Sequence, residues 1–148
     1  MIRKVANIVA LVFWLGVIFY LSSQDGTASS SSSGVFVDFL SPYVPITPET
    51  LTVVIRKSAH VFKYFILGLL VFNVLRYYTN NLRKIVIYSM LFAVLYATSD
   101  EIHQSFVPGR SPEITDVLLD TFGASLGVAL FWYIARLKSR KLVENGKE

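Results

Sequence analysis

Four apolar stretches, each close to the length of a bilayer crossing, constrain this chain more than any other feature. Val5–Leu21 carries no charge, and Ala59–Leu75 is apolar apart from His60, Lys63 and its capping polar residues. Ile85–Ser99 is uncharged, and Val117–Ala135 carries the single charge of Asp120. A helix rises about 1.5 Å per residue, so about 20 residues cross a ~30 Å hydrocarbon core. The stretch 85–99 is short on that measure, which implies that its end at Asp100 is buried in protein rather than lipid. The chain reads as an all-α, polytopic membrane protein with four transmembrane helices. Composition agrees: 148 residues, 53% hydrophobic and 16% charged, have room for one domain, 1–148, and exclude both a disordered chain and an ordinary soluble globule. The absence of cysteine removes disulfides, thiol catalysis and Cys-ligated zinc or iron–sulfur sites.

The basic residues predict the orientation. Arg3, Lys4, Arg76, Arg83, Lys84, Arg136, Lys138, Arg140, Lys141 and Lys147 fall on one side of the four spans. Arg56, Lys57 and Arg110 fall on the other, with Lys63 inside the second span. The side rich in Lys and Arg faces the cytoplasm, so both termini are expected there, in the plasma membrane. The +4 net charge then reflects topology and no nucleic-acid partner, since no aromatic residues interleave with the basic ones. The basic tail 136–148 suits anionic lipid headgroups. The first span is too long for a signal-peptide core and lacks an A-x-A-like site, so it reads as a retained anchor.

The outer loop, 22–55, holds the low-complexity run Ser29–Ser33, then Val35–Leu40, a segment suited to the membrane surface. Thr47-Pro48-Glu49 marks a helix start: a cap, a proline at the first position and an acid in the first turn. Helix two is thus expected near Pro48, well before its embedded part. Tyr77–Leu82, with Asn80-Asn81, reads as a plain turn, and no useful internal repeat is evident.

The remaining polar residues are concentrated in the outer half, while the inner half of the spans is almost purely apolar. Taking Arg56 as zero on a helical wheel, His60 falls at about 40°, Lys63 at about 340° and Tyr64 at about 80°. Tyr96, Asp100, His103 and Gln104 share a sector of about 100° flanked by Glu101; Asp116, Asp120, Gly123 and Gly127 share about 60°. Ionisable groups at membrane depth cost about 2.5–3.5 kcal/mol each on insertion scales, so three such stripes at one height are expected to share one polar pocket. Gly123-x3-Gly127 predicts close helix packing that holds the acidic face of helix four against its neighbours. Phe106–Pro112 turns the chain back at Pro108-Gly109 and holds Arg110 stiffly. Arg110 is suited either to an anionic headgroup or to closing the loop on Asp116 or Glu113.

Arg56-Lys57-Ser58-Ala59-His60 with Tyr64, then Asp100-Glu101-x-His103-Gln104 with Pro108-Gly109-Arg110, then Asp116 and Asp120-Thr121-x-Gly123-Ala124-x-x-Gly127, resemble the VanZ-like family. Ser22-Ser23-Gln24 also fits its pattern. The resemblance covers about residues 5–135, and its Asp-Glu-x-His-Gln…Arg element is the specific part. It implies a four-helix membrane topology and, through one member, a link to low-level resistance to teicoplanin-type glycopeptides. It implies no settled reaction.

Two classes of function stay open. In the first, His60 or His103 is a general base oriented by Asp100, Glu101, Asp116 or Asp120. Arg56, Lys57, Lys63, Tyr64, Gln104 and Arg110 would then bind an anionic cell-envelope lipid or lipid-linked glycan. No nucleophile motif accompanies them. In the second, the pocket binds such a molecule without chemistry, or only staples the helices. A metal version would use His60, His103 and Asp100, although nearby Arg and Lys disfavour a cation; no cofactor is otherwise expected. A transporter would need an oligomer, because one polar half provides no inward path.

Overall fold

The computed structural model describes residues 1–25 and 34–145, with side chains through Lys138; the serine run Ser29–Ser33, Lys147 and the side chains of Arg140 and Lys141 lie outside the described residues. The elements are α1 (Ile2–Ser22), α2 (34–40), a 3-10 turn (Ser41–Tyr43), α3 (Pro48–Leu75), α4 (Leu82–Gln104) and α5 (Ile114–Asn145), with no strand among the described residues. The four long helices are each apolar and long enough to cross a membrane.

Local chemistry sets their ends. Thr47, in extended backbone, accepts from Thr50 N at 3.4 Å, and Pro48 and Glu49 follow in the first turn, as the sequence predicts. The Asn80-Asn81 segment is more than a plain turn. Asn81 caps α4, its Oδ1 accepting from Lys84 N at 3.1 Å. Gly109 at φ 74° provides the left-handed residue that reverses the chain after α4. The helices outrun the apolar runs. α4 continues to Gln104, and α5 passes through residue 136 without a break, so the basic tail begins as an extension of the last span. A helix needs only backbone hydrogen bonds to continue, and charged side chains past the hydrocarbon region do not oppose it. The expected outer loop 22–55 shrinks to the stretch between Ser22 and Pro48, broken by α2 and the 3-10 turn.

α3 is the hub, touching α1, α4 and α5 and meeting α5 most extensively. Glycine makes that contact possible. A Cβ at Gly123 would collide with the Val61 carbonyl, one at Gly127 with Phe65 O, and one at Gly68 with Ala124 O. The two backbones therefore touch, as the small-residue spacing predicts. Beside this seam Ile18, Tyr64, Leu67, Val71, Ala93 and Ala97 form one core cluster, and Phe72, Ile85, Val128 and Ala135 form another. The outer faces expose Phe13, Leu91, Leu95, Phe122 and Leu130. Such an apolar belt is unfavourable in water and matches lipid.

At the end of the bundle formed by the α1 N-terminus, Asn73 Nδ2 donates to Asn7 Oδ1 at 2.9 Å, and Asn7 Nδ2 donates to the Tyr77 hydroxyl at 2.7 Å. This half is therefore less purely apolar than the sequence reading had it. Amides carry no charge and escape a search for ionisable residues.

Candidate functional site

The charged residues meet at the opposite end, where α1 and α4 finish and where α3 and α5 begin. They form two adjacent hydrogen-bonded networks.

The first network joins α1, α3 and α4 around Asp100. Ser22, buried at the end of α1, donates to Asp100 Oδ1, and Lys63 Nζ lies 3.2 Å from Oδ2. Gln104 Nε2 reaches both Asp100 Oδ2 and Ser22 Oγ at 3.3 Å. The side chains of Lys63 and Asp100 are only 10% and 2% exposed, so each depends on the other for its counter-charge. Tyr64, fully buried beside them, lies 6.4 Å from the ring of Tyr96, whose hydroxyl donates to Leu15 O at 2.8 Å.

Arg110 completes this network in an unexpected way. Its Nη1 donates to Gln104 Oε1 at 2.8 Å, its Nε to Gln24 O at 2.9 Å and its Nη2 to Leu21 O at 3.2 Å. The guanidinium thus binds main-chain carbonyls where α1 ends, and the stiff loop anchors α1. It closes on neither Asp116 nor Glu113, because Lys57 takes both of those carboxylates. Burial, followed by the nearby charge of Arg56, pulls the Arg110 pKa below its ordinary value. His103 lies at the edge, half-buried, stacked on Phe19 at 4.5 Å with Nε2 3.1 Å from Ser23 Oγ.

The second network runs along the glycine seam of α3 and α5. Arg56 Nη2 lies 3.6 Å from Glu113 Oε1. Lys57 Nζ bridges Glu113 Oε2 at 3.2 Å and Asp116 Oδ1 at 3.1 Å. One turn deeper, buried His60 has Nδ1 3.1 Å from Asp120 Oδ1 and Nε2 3.9 Å from Asp116 Oδ2. Glu101 joins from α4, its Oε1 accepting the Glu113 N–H. The Thr115 hydroxyl, then the Lys57 ammonium, hold the Glu113 carboxyl below its ordinary pKa. Four carboxylates here face two obligate cations and His60. Asp120 Oδ2 and Glu101 Oε2 are buried acceptors without a hydrogen-bond partner among the described residues. His60 lies between Asp116 and Asp120 in this cluster.

The sequence of the VanZ/LLP1 family matches residues 7–136 of this chain. The chain belongs to that family. No curated protein and no solved structure matches it.

In this VanZ/LLP1 protein every residue singled out from the sequence lies at the charged end, yet the grouping differs from the expected one. His60 and His103 belong to separate neighbourhoods, and Asp100 pairs with Lys63. The alternative metal set of His60, His103 and Asp100 therefore does not converge, and no group of three or more His, Asp or Glu among the described residues is arranged to hold a metal ion. The contribution of α1 went unread: Ser22 and Ser23 matched the family pattern, but a hydroxyl at the end of an apolar run gives no helical-wheel signal. Their position beside Gln24 at that end of the span was the available clue.

Proposed function

We propose that this VanZ/LLP1 protein sits in the plasma membrane with its charged end outside, where it binds a cell-envelope lipid or lipid-linked glycan and carries out acid–base chemistry with His60. The observation that carries this reading is the hydrogen bond from His60 Nδ1 to Asp120 Oδ1 at 3.1 Å in a buried setting. A carboxylate on one ring nitrogen fixes the imidazole and leaves the other nitrogen, here turned toward Asp116, to accept or deliver a proton. Arg56 and Lys57, one turn nearer the end of α3, supply donors for an anionic headgroup. Lys63, Gln104 and Arg110 hold the helices that carry these groups.

The test is to incubate solubilised protein with total envelope lipid and compare products by mass spectrometry for wild type and His60→Gln. A lipid species changed by wild type and untouched by His60→Gln supports the reading. Identical profiles overturn the chemistry and leave a binding module, the second function these residues favour. Lower teicoplanin susceptibility in expressing cells, lost in His60→Gln, is the expected cellular counterpart. Orientation is testable separately because the chain has no cysteine. A single cysteine at Thr47 should react with an impermeant maleimide in intact cells, and one at Asn80 only after permeabilisation.

A further inference from the structure

Beside the second network, α3 and α5 enclose an open groove of about 620 Å³ on the bundle surface. Its walls are Val54, Val61, Phe62 and Phe65 from α3 and Leu119 and Leu126 from α5, and its polar members are Lys57 and Ser58. Val54 and Phe62 are exposed, so the groove opens sideways from the bundle. Around it lies the apolar belt, and the medium against that belt is acyl chain. From Val53 to Phe65, α3 rises about 18 Å, comparable with the ~15 Å depth of one leaflet, half of the ~30 Å hydrocarbon core. The cationic groups sit toward one end of this track. Lys57 Nζ uses two of its three donors, on Glu113 and Asp116. Arg56, 46% exposed at its side chain, makes one loose ion pair at 3.6 Å and has donors to spare.

We propose that this groove seats one acyl chain of an anionic phospholipid from the bilayer, whose phosphodiester is held by Arg56 and Lys57. The proposal rests on the charged end being a lipid site, and it adds the class of lipid and a sideways route of entry. Chain and headgroup are read by different walls. Apolar packing along Val61, Phe62 and Leu126 accepts a chain already in the hydrocarbon, while the cations select charge at the leaflet boundary. A headgroup held there lies one helical turn from His60.

Native mass spectrometry of the full chain, titrated with dioleoylphosphatidylglycerol or dioleoylphosphatidylcholine, tests this. The anionic lipid should bind about tenfold more tightly, as expected for charge-assisted hydrogen bonds to the phosphodiester region. Val54→Trp and Leu126→Trp, which fill the groove without touching an ion pair, should each lower its binding several-fold. Leu91→Trp, on the exposed face of α4, should not. Lys57→Gln should erase the preference between the two lipids and Lys57→Arg should restore it. Equal binding of both lipids, or groove-filling variants that bind like wild type, overturns the proposal. His60→Gln separates the two ideas. Groove-dependent binding with an unchanged lipid product profile in His60→Gln retains the groove and removes the chemistry; the reverse pattern retains the chemistry and removes the groove.

Discussion

Replacing Gly123 by alanine should damage this protein in a way that its small size conceals. The added Cβ would collide with the main-chain carbonyl of Val61, and a carbonyl within a helix cannot rotate away. The α3–α5 seam would have to open by about 1 Å to restore ordinary carbon–oxygen contact. Overfilling a packed interior costs about 1–3 kcal/mol, and the immobile obstacle puts this case in the upper half of that range. The consequence extends along the seam. Asp120 lies one turn from Gly123, and its bond to His60 at 3.1 Å would stretch beyond hydrogen-bond length if the helices parted. Equilibrium unfolding in mixed micelles should show a loss of about 2–3 kcal/mol. Gly16→Ala is the matched control: nothing lies within 4 Å of a Cβ there. That variant should be neutral or gain up to about 1 kcal/mol from helix propensity. If Gly123→Ala unfolds like wild type, the two backbones do not touch as described, and the account of how α5 carries its acids to His60 fails with it.

Asp100→Ala strands the buried Lys63 charge and the Ser22 hydroxyl, and should cost about 3–5 kcal/mol in the same unfolding assay; adding Lys63→Met should recover part of that loss. Arg110→Ala removes two hydrogen bonds at the end of α1 and a third to Gln104, so amides and engineered cysteines around Leu21–Gln24 should exchange or react faster, and Arg110→Lys, lacking the planar fork, should not restore protection. Glu113 has a folded pKa below its ordinary 4.5, so its contribution to stability is complete above that value and is lost as pH falls through the folded one. Unfolding followed from about pH 6 to 3 should therefore show falling stability, with a shallower fall in Glu113→Gln.

Hydropathy and helical periodicity sufficed for much of this molecule. Apolar runs of 15 to 19 residues could only be spans, and Thr47-Pro48-Glu49 marked the start of α3, because both signals act through neighbours in sequence. The wheel angles also found the residues that turn inward: His60, Lys63, Asp100, Glu101, Gln104, Asp116 and Asp120 are all buried. Burial follows from the cost of turning those groups toward lipid, which each helix incurs on its own.

Which helix lies opposite is a different matter. An angle on a wheel names a face and no partner, so the division into a Lys63–Asp100 network and a Lys57–His60 network was decided only when α3 packed against α1, α4 and α5. Arg110 shows the same limit. Its loop and stiffness were legible, but besides Gln104 its partners are main-chain carbonyls at and just past the end of α1, 86 and 89 residues away in sequence, and every helix end has such carbonyls. The sequence by itself determined that this chain crosses a membrane and that the ionisable residues it buries gather toward one end. Tertiary packing alone decided which charges neutralise one another and left His60 between two acids, because counter-charges buried at membrane depth are chosen by contact across helices rather than by position along them.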